Sequence, residues 1–152
     1  MCMKRAENKS HCPVNFALET FGDAWSLLIV RDIVFWGKRT YKEFLASDEA
    51  ISTNVLAARL AHLEQRGILV REPHGSDRRR EVYTLTEKGL GLIPVLLEMS
   101  GWSARNDPDT TAPQAFVDAV YADRATMFAA VQDAVRRGGS LFGEGGLLRR
   151  PA

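Results

Sequence analysis

Cysteine is scarce in this chain: 152 residues hold two, Cys2 and Cys12, both ahead of the first helical pattern. A disulfide scaffold needs more than this, and neither their spacing nor their company suits a tetrahedral zinc site. No metal and no cofactor is therefore expected. Long hydrophobic runs are lacking as well, since no stretch approaches the ~18 apolar residues that suggest a membrane span. The opening Met1-Cys2-Met3-Lys4-Arg5-Ala6-Glu7-Asn8-Lys9 has cations but no apolar core behind them, so it does not read as a signal peptide. The expectation is no membrane partner and a cytoplasmic location. Charge of one sign is also missing. A formal net charge of +1 gives no overall electrostatic sign of a nucleic-acid partner. Internal repeats are absent. His11 beside Cys12 has the residue types of a nucleophilic dyad, but nothing supplies an orienting third group or an oxyanion site, which argues against an enzyme.

What is present is an ordinary globular composition, 45% hydrophobic and 26% charged, in a chain long enough for one cored domain with an appendage. The charge is unevenly spread. Residues 1–90 carry 14 Lys and Arg against 12 Asp and Glu, whereas residues 107–135 carry one Arg against five Asp. The mild basic bias sits in front, and locally in Arg78-Arg79-Arg80.

Helical patterns dominate. Val14 to Phe21 ends near Gly22, a plausible C-cap. Asp23 can cap a helix from Ala24 to about Phe35 that is apolar nearly all round and so reads as the central buried helix. Gly37 ends it, and Thr40 can cap a short helix from Tyr41 to about Ala46. After a turn at Ser47-Asp48-Glu49-Ala50, Ser52 caps a helix running to Arg66. Its Leu56, Leu60 and Leu63 share one face, and Asn54, Ala57, Ala58, Ala61 and Gln65 lie opposite. Gly67 stops it. Residues 68–72 and 81–85 are β-rich and bracket a Gly-Ser-Asp-Arg turn, which predicts a hairpin. Thr86 then caps a helix to about Arg105, bent at Pro94. A hinge at 106–111 precedes a helix over Ala112–Arg137, and the Gly-rich remainder reads as a frayed tail.

The fold class expected is mainly α with a small β-hairpin: a winged helix-turn-helix with extra N- and C-terminal helices. The expected division is a winged-helix unit at 1–106, an accessory helix at 107–137 and a flexible tail at 138–152. A protruding helix beside a cationic hairpin suits double-stranded DNA, the helix in the major groove and the hairpin along the backbone. The candidate DNA-contacting residues are Ser52, Thr53, Asn54, Arg59 and His62 on the helix, Arg39, Tyr41 and Lys42 at the short helix before it, and Arg78, Arg79 and Arg80 in the wing. For each there is a plainer reading. The arginine run can be a solvated turn, Arg59 can pair with Glu64 or a carboxylate elsewhere, His62 can be a flank residue, and Lys42 can be merely exposed.

Cys12-Pro13-Val14, then Gly22-Asp23-Ala24-Trp25-Ser26-Leu27-Leu28 through Arg31-Asp32, resembles the opening of the HxlR-type transcriptional regulators. Arg39-Thr40-Tyr41-Lys42-Glu43-Phe44 is similar to their short third helix. Ile51-Ser52, Leu56, Arg59-Leu60, Leu63-Glu64 and Gly67 to Arg71 resemble their recognition helix and first wing strand. Tyr83-Thr84-Leu85-Thr86 with Gly89 resembles their second wing strand and the start of the next helix. The resemblance covers about residues 12–104. It implies a bacterial DNA-binding regulator that is a homodimer through its N-terminal and post-wing helices. It also implies a candidate redox sensor at Cys12, since some members use this Cys-Pro cysteine against electrophiles. The alternative for Cys12 is a small buried residue at a dimer seam. Self, DNA and a small-molecule or electrophile effector are thus the expected partners. Two features depart from the pattern: Ala57 and Ala58 stand where many relatives are polar, and the resemblance does not reach the 112–137 helix. These leave a second reading open, a winged-helix module that holds a protein partner or ligand without sequence-specific DNA binding.

Overall fold

A computed structural model describes residues 9–74 and 77–148; Cys2 and the side chains of residues 74 and 77–80, including Arg78, Arg79 and Arg80, lie outside the described residues. The described elements are α1 (Pro13–Phe21), α2 (Ser26–Trp36), α3 (Tyr41–Leu45), α4 (Thr53–Gln65), β1 (Leu69–His74), β2 (Asp77–Leu85), α5 (Glu87–Leu90), α6 (Ile93–Asn106), α7 (Gln114–Ala122) and α8 (Arg124–Arg136). The architecture is the expected one, mainly helical with a single two-stranded antiparallel hairpin among the described residues, a winged helix-turn-helix with helices added at both ends.

No residue of α2 is exposed, as its all-round apolarity predicts. Ile29, Val30, Ile33 and Val34 are buried among Phe44, Leu56, Leu60, Leu63, Ile93, Leu97 and Val131 in one continuous core. The helix starts where Asp23 folds back, its carboxylate accepting from the amides of Trp25 and Ser26, both at 2.9 Å. It ends at Gly37, whose φ of 72° lies in the left-handed region that glycine adopts without a Cβ penalty.

Three expectations about continuity fail, each for a physical reason. The post-wing helix is broken, not bent: α5 closes at Gly91 and α6 restarts at Ile93 with Pro94 in its first turn. Pro94 has no N–H for the carbonyl of Leu90 and its ring would crowd that oxygen. The freed Leu90 carbonyl accepts instead from Gln132 Nε2 of α8 at 3.2 Å. The expected 112–137 helix is also two. At Asp123 the backbone is extended (φ −158°, ψ 92°), and its carboxylate accepts from the amide and hydroxyl of Thr126 at 3.1 and 2.7 Å, capping α8.

The third correction concerns the segment after Gly138, expected as a frayed tail. Over residues 138–148 it packs. Leu141 and Phe142 are 0% and 4% exposed. The amides of Leu141 and Phe142 donate to the carbonyls of Val34 and Phe35, both at 2.8 Å. Those carbonyls belong to the last turn of α2, which has no partner of its own for them. Phe142 closes an aromatic cluster with Phe35, Trp36 and Phe116, at ring separations of 5.6, 5.6 and 5.4 Å.

The strands run further than expected, pairing Leu69 with Leu85 through Pro73 with Glu81, then shifting register before His74 pairs with Asp77. Pro73 is tolerated because both strands of a two-stranded ribbon are edges. Phe142→Ala should lower the unfolding free energy by about 3 kcal/mol, as for other buried phenylalanines. Urea denaturation reads this; a change within about 0.5 kcal/mol, typical of a surface position, would mean the segment carries no packing.

Candidate nucleic-acid interface

The helix-turn-helix proper is α3, the turn at 46–52 and α4. Thr40 opens α3 with a reciprocal cap: its hydroxyl accepts from the Glu43 amide at 3.2 Å, and Glu43 Oε1 accepts from the Thr40 amide at 3.1 Å. Ser52 opens α4, its Oγ accepting from the Val55 amide at 3.3 Å. The Tyr41 hydroxyl donates to the Thr53 carbonyl at 3.1 Å and fastens α3 to the first turn of α4. Leu56, Leu60 and Leu63 are buried, and Thr53, Asn54, Ala57, Ala58, Ala61 and Gln65 make the exposed face, as the periodicity requires.

The eleven DNA candidates divide into groups. Ser52, Thr53, Asn54, Tyr41 and Lys42 are brought together around the start of α4, with Ser52, Thr53, Asn54 and Lys42 exposed. Three others are engaged inside the protein. Arg59 pairs with Asp23 at 3.4 Å, a carboxylate on the approach to α2 and not Glu64. His62 Nε2 bonds the Thr20 carbonyl of α1 at 2.8 Å. The Arg39 guanidinium donates to the carbonyl of Gly138, and the Arg39 carbonyl accepts from the Tyr83 amide of β2 at 2.7 Å. Of the last group, Arg78, Arg79 and Arg80, the structure gives the place of the backbone, in β2.

Sequence reasoning missed the polar cluster that sets the turn. Asp32 is 2% exposed, at the heart of the core. Arg31 reaches its Oδ1 at 2.7 Å, Lys38 Nζ stands 3.6 Å from Oδ2, and the Ser47 hydroxyl donates to Oδ2. The same Arg31 grips Glu49 with two bonds of 2.8 Å. One buried carboxylate thus gathers α2 and both halves of the turn before α4, and a charge so deep needs such partners. The available signal was an Arg-Asp pair inside an otherwise apolar helix. Lys88 was also missed. Its Nζ donates to the Arg66 carbonyl at 2.6 Å and places a cation at the C-terminal end of α4.

The charge partners leave their mark on titration. Hydrogen bonds from Arg31 hold the Glu49 carboxyl below its ordinary range, and Glu49 in turn raises the Arg31 guanidinium. Burial pushes Asp23 up, but bonds from Ser26 and Trp25 and the charge of Arg59 outweigh it and leave the carboxyl lowered. Cys12, at the start of α1, is exposed, and the amides of Asn15 and Val14 lower its thiol below the usual value.

A family model described as HxlR-like helix-turn-helix matches residues 20–111. The chain belongs to this family. It is a transcriptional regulator of the winged-helix type. The HTH-type transcriptional regulator YybR of Bacillus subtilis, itself uncharacterized, is 33% identical over 99 residues, 65% of this chain and 78% of YybR. The reduced form of the transcriptional regulator YodB from B. subtilis superposes with a TM-score of 0.54 at 31% identity, covering 66% of this chain and 99% of YodB. The redox regulator HypR in its oxidized form gives a TM-score of 0.56 at 30% identity, over 62% and 97% of the two chains. Among the described residues no helix is long and apolar enough to cross a membrane, and no His, Cys, Asp and Glu cluster could hold a metal.

The Glu49–Arg31 pair gives a pH prediction. Because the folded carboxyl is depressed, its contribution is present above the unfolded value near 4.5 and is lost as pH falls through the lower folded value. Wild type should therefore exceed Glu49→Gln in thermal stability by a constant margin from neutrality down to about pH 5, and the margin should shrink below that. A margin that grows on acidification would mean the pair does not hold the turn.

Proposed function

We propose that the chain is a homodimeric, sequence-specific DNA-binding regulator acting on a pseudo-palindromic operator. The observation that carries this is the exposed face of α4, small and polar at its leading end, standing beside the wing. Asn54 and Thr53 are the base- and phosphate-contacting residues of its first turn. Ala57, Ala58 and Ala61 allow close approach to the groove floor and can meet thymine methyl groups. Lys42 and the Arg78–Arg80 run engage phosphates. Arg59, His62 and Arg39 serve by holding the helix and wing in position, since each has a side-chain contact inside the protein.

Two helices support dimerisation. On α1, Val14, Phe16 and Leu18 are exposed, the first by 66%; on α6, Met99 and Trp102 are exposed, the latter by 63%. Large apolar side chains left bare in this way mark an association surface. A twofold dimer sets half-sites about 10 bp apart centre to centre, or a multiple of that. An exposed Cys12 with a lowered thiol supports a thiol-reactive effector, and the similar HypR is a redox regulator.

Selection of bound genomic fragments at physiological salt tests the reading, the expected result being an inverted repeat. A folded dimer that enriches nothing, with or without diamide treatment, would point to a winged helix that holds a protein partner. Arg79→Ala should weaken binding to all sequences and reduce the slope of log affinity against log salt by about 1. An unchanged slope would remove the wing run from the phosphate contacts. Asn54→Ala should alter preference at a single base position, and a uniform loss would make it a phosphate contact. Cys12→Ser should abolish any release of DNA by diamide; release that persists would discard the thiol reading.

A further inference from the structure

Between α2, α6 and the chain that follows α6 lies a half-enclosed cleft of about 540 Å³, within the roughly 300–1,000 Å³ range of small-molecule sites. We propose that it is a binding pocket for a flat, uncharged aromatic compound bearing a hydroxyl or similar polar group. This deepens the effector part of the regulator reading and rests on it only for its biological meaning.

The size and wall chemistry carry the assignment. Phe35, Trp36, Phe116 and Phe142 form the aromatic side, with Leu27 and Leu96 adding aliphatic surface. Phe35 meets Phe116 edge-on at 6.1 Å, and Phe116 meets Phe142 edge-on at 5.4 Å, so buried rings hold the partly exposed Phe35 and Trp36 in place as the aromatic surface offered to a planar guest. Besides Arg31, Asp48, Thr110 and Thr111, the polar lining groups are two hydroxyls on α6. The Ser100 hydroxyl donates to the Leu96 carbonyl at 2.9 Å and keeps its lone pairs for accepting. The Ser103 hydroxyl has no hydrogen-bond partner among the described residues and can donate to a guest. A phenol-type hydroxyl can use both.

The electrostatics exclude an anion. Arg31 is the cation in the lining, and its guanidinium is already taken by Glu49 and Asp32. Asp48, exposed at the rim, adds negative charge. A carboxylate guest would lose its hydration without gaining a free positive partner.

The pocket is completed by this chain's own extension. Ala112, Pro113, Phe116 and Phe142 lie beyond the 20–111 region that the family model covers. The core shared with relatives supplies the α2 and α6 walls.

The test uses the full chain without DNA, so its result is separate from that of fragment selection. Calorimetric titration with 2-naphthol should show saturable binding of about one molecule per chain. 2-Naphthoate, which adds charge, and cyclohexanol, which lacks the flat ring, should bind at least about tenfold more weakly. Ser103→Phe and Leu27→Trp each fill the cleft and should weaken 2-naphthol by about tenfold or more. Circular dichroism and sedimentation of each variant check fold and assembly, and two variants on different helices keep the test alive should one misfold. Absence of saturable binding, equal binding of 2-naphthoate, or full binding by a folded filling variant would overturn the proposal. So would conversion of dimer to monomer by both variants, which would make the cleft an interface between copies of the chain.

Discussion

The enclosure of α2, where no residue is exposed and Val30 and Val34 are wholly buried, is the constraint on which the rest depends. A helix so largely enclosed must find partners for its first amides, its last carbonyls and any buried charge along it, because little water reaches them. Asp23 serves the first amides. Gly37 and Lys38 donate to the Ile33 and Asp32 carbonyls, and Leu141 and Phe142 to those of Val34 and Phe35. Arg31, Lys38 and Ser47 surround the Asp32 carboxylate. Each solution fixes another part of the molecule. The Asp23 carboxylate also holds Arg59 of α4, Ser47 belongs to the turn before α4, and residues 141–142 bring in the end of the described chain. The orientation of the recognition helix is thus a consequence of satisfying α2.

That consequence narrows how the protein can read DNA. Long cationic side chains on α4 and its approach were natural candidates for base and phosphate contacts. Arg59 and His62 instead spend their polar groups on Asp23 and on the Thr20 carbonyl. Apart from Gln65 at its far end, the exposed face carries short side chains: Thr53, Asn54, Ala57, Ala58 and Ala61. Such a surface offers few directional bonds to base edges and allows close steric fit, properties suited to reading groove shape and thymine methyls rather than to the direct readout of a helix rich in Arg and Gln.

Much of this was legible in the sequence. The period of Leu56, Leu60 and Leu63, the caps at Thr40, Ser52 and Thr86, and the apolarity of α2 obey local rules, and each is found where those rules put it. Direction lay outside the local rules. Apolar periodicity runs through Gly91 and Asp123 almost unbroken, and nothing in it says whether the arcs on either side are collinear. Pro94 read as a bend because its effect depends on whether the Leu90 carbonyl finds another donor, and that donor, Gln132, is 42 residues away. The packed segment after Gly138 was hidden for a related reason. Its attachment to α2 is through backbone amides, which leave no trace in side-chain pattern, and Leu141 and Phe142 are a thin apolar signal among glycines. On α4, residue types gave the exposed face but could not show which cations were already paired.

Arg39 shows why the extension cannot be treated as a separate appendage. Its carbonyl accepts from Tyr83 in the second wing strand, and its guanidinium donates to Gly138 at the end of α8. Beyond Gly138, the chain bonds the last turn of α2 through Leu141 and Phe142 and fills the aromatic cluster. Arg39 therefore links the backbone of the second wing strand to the segment that carries the core residues Leu141 and Phe142. Close-packed interiors move between discrete arrangements more readily than they deform. Arg39 thus joins the second wing strand to the part of the fold built by residues beyond the shared family core.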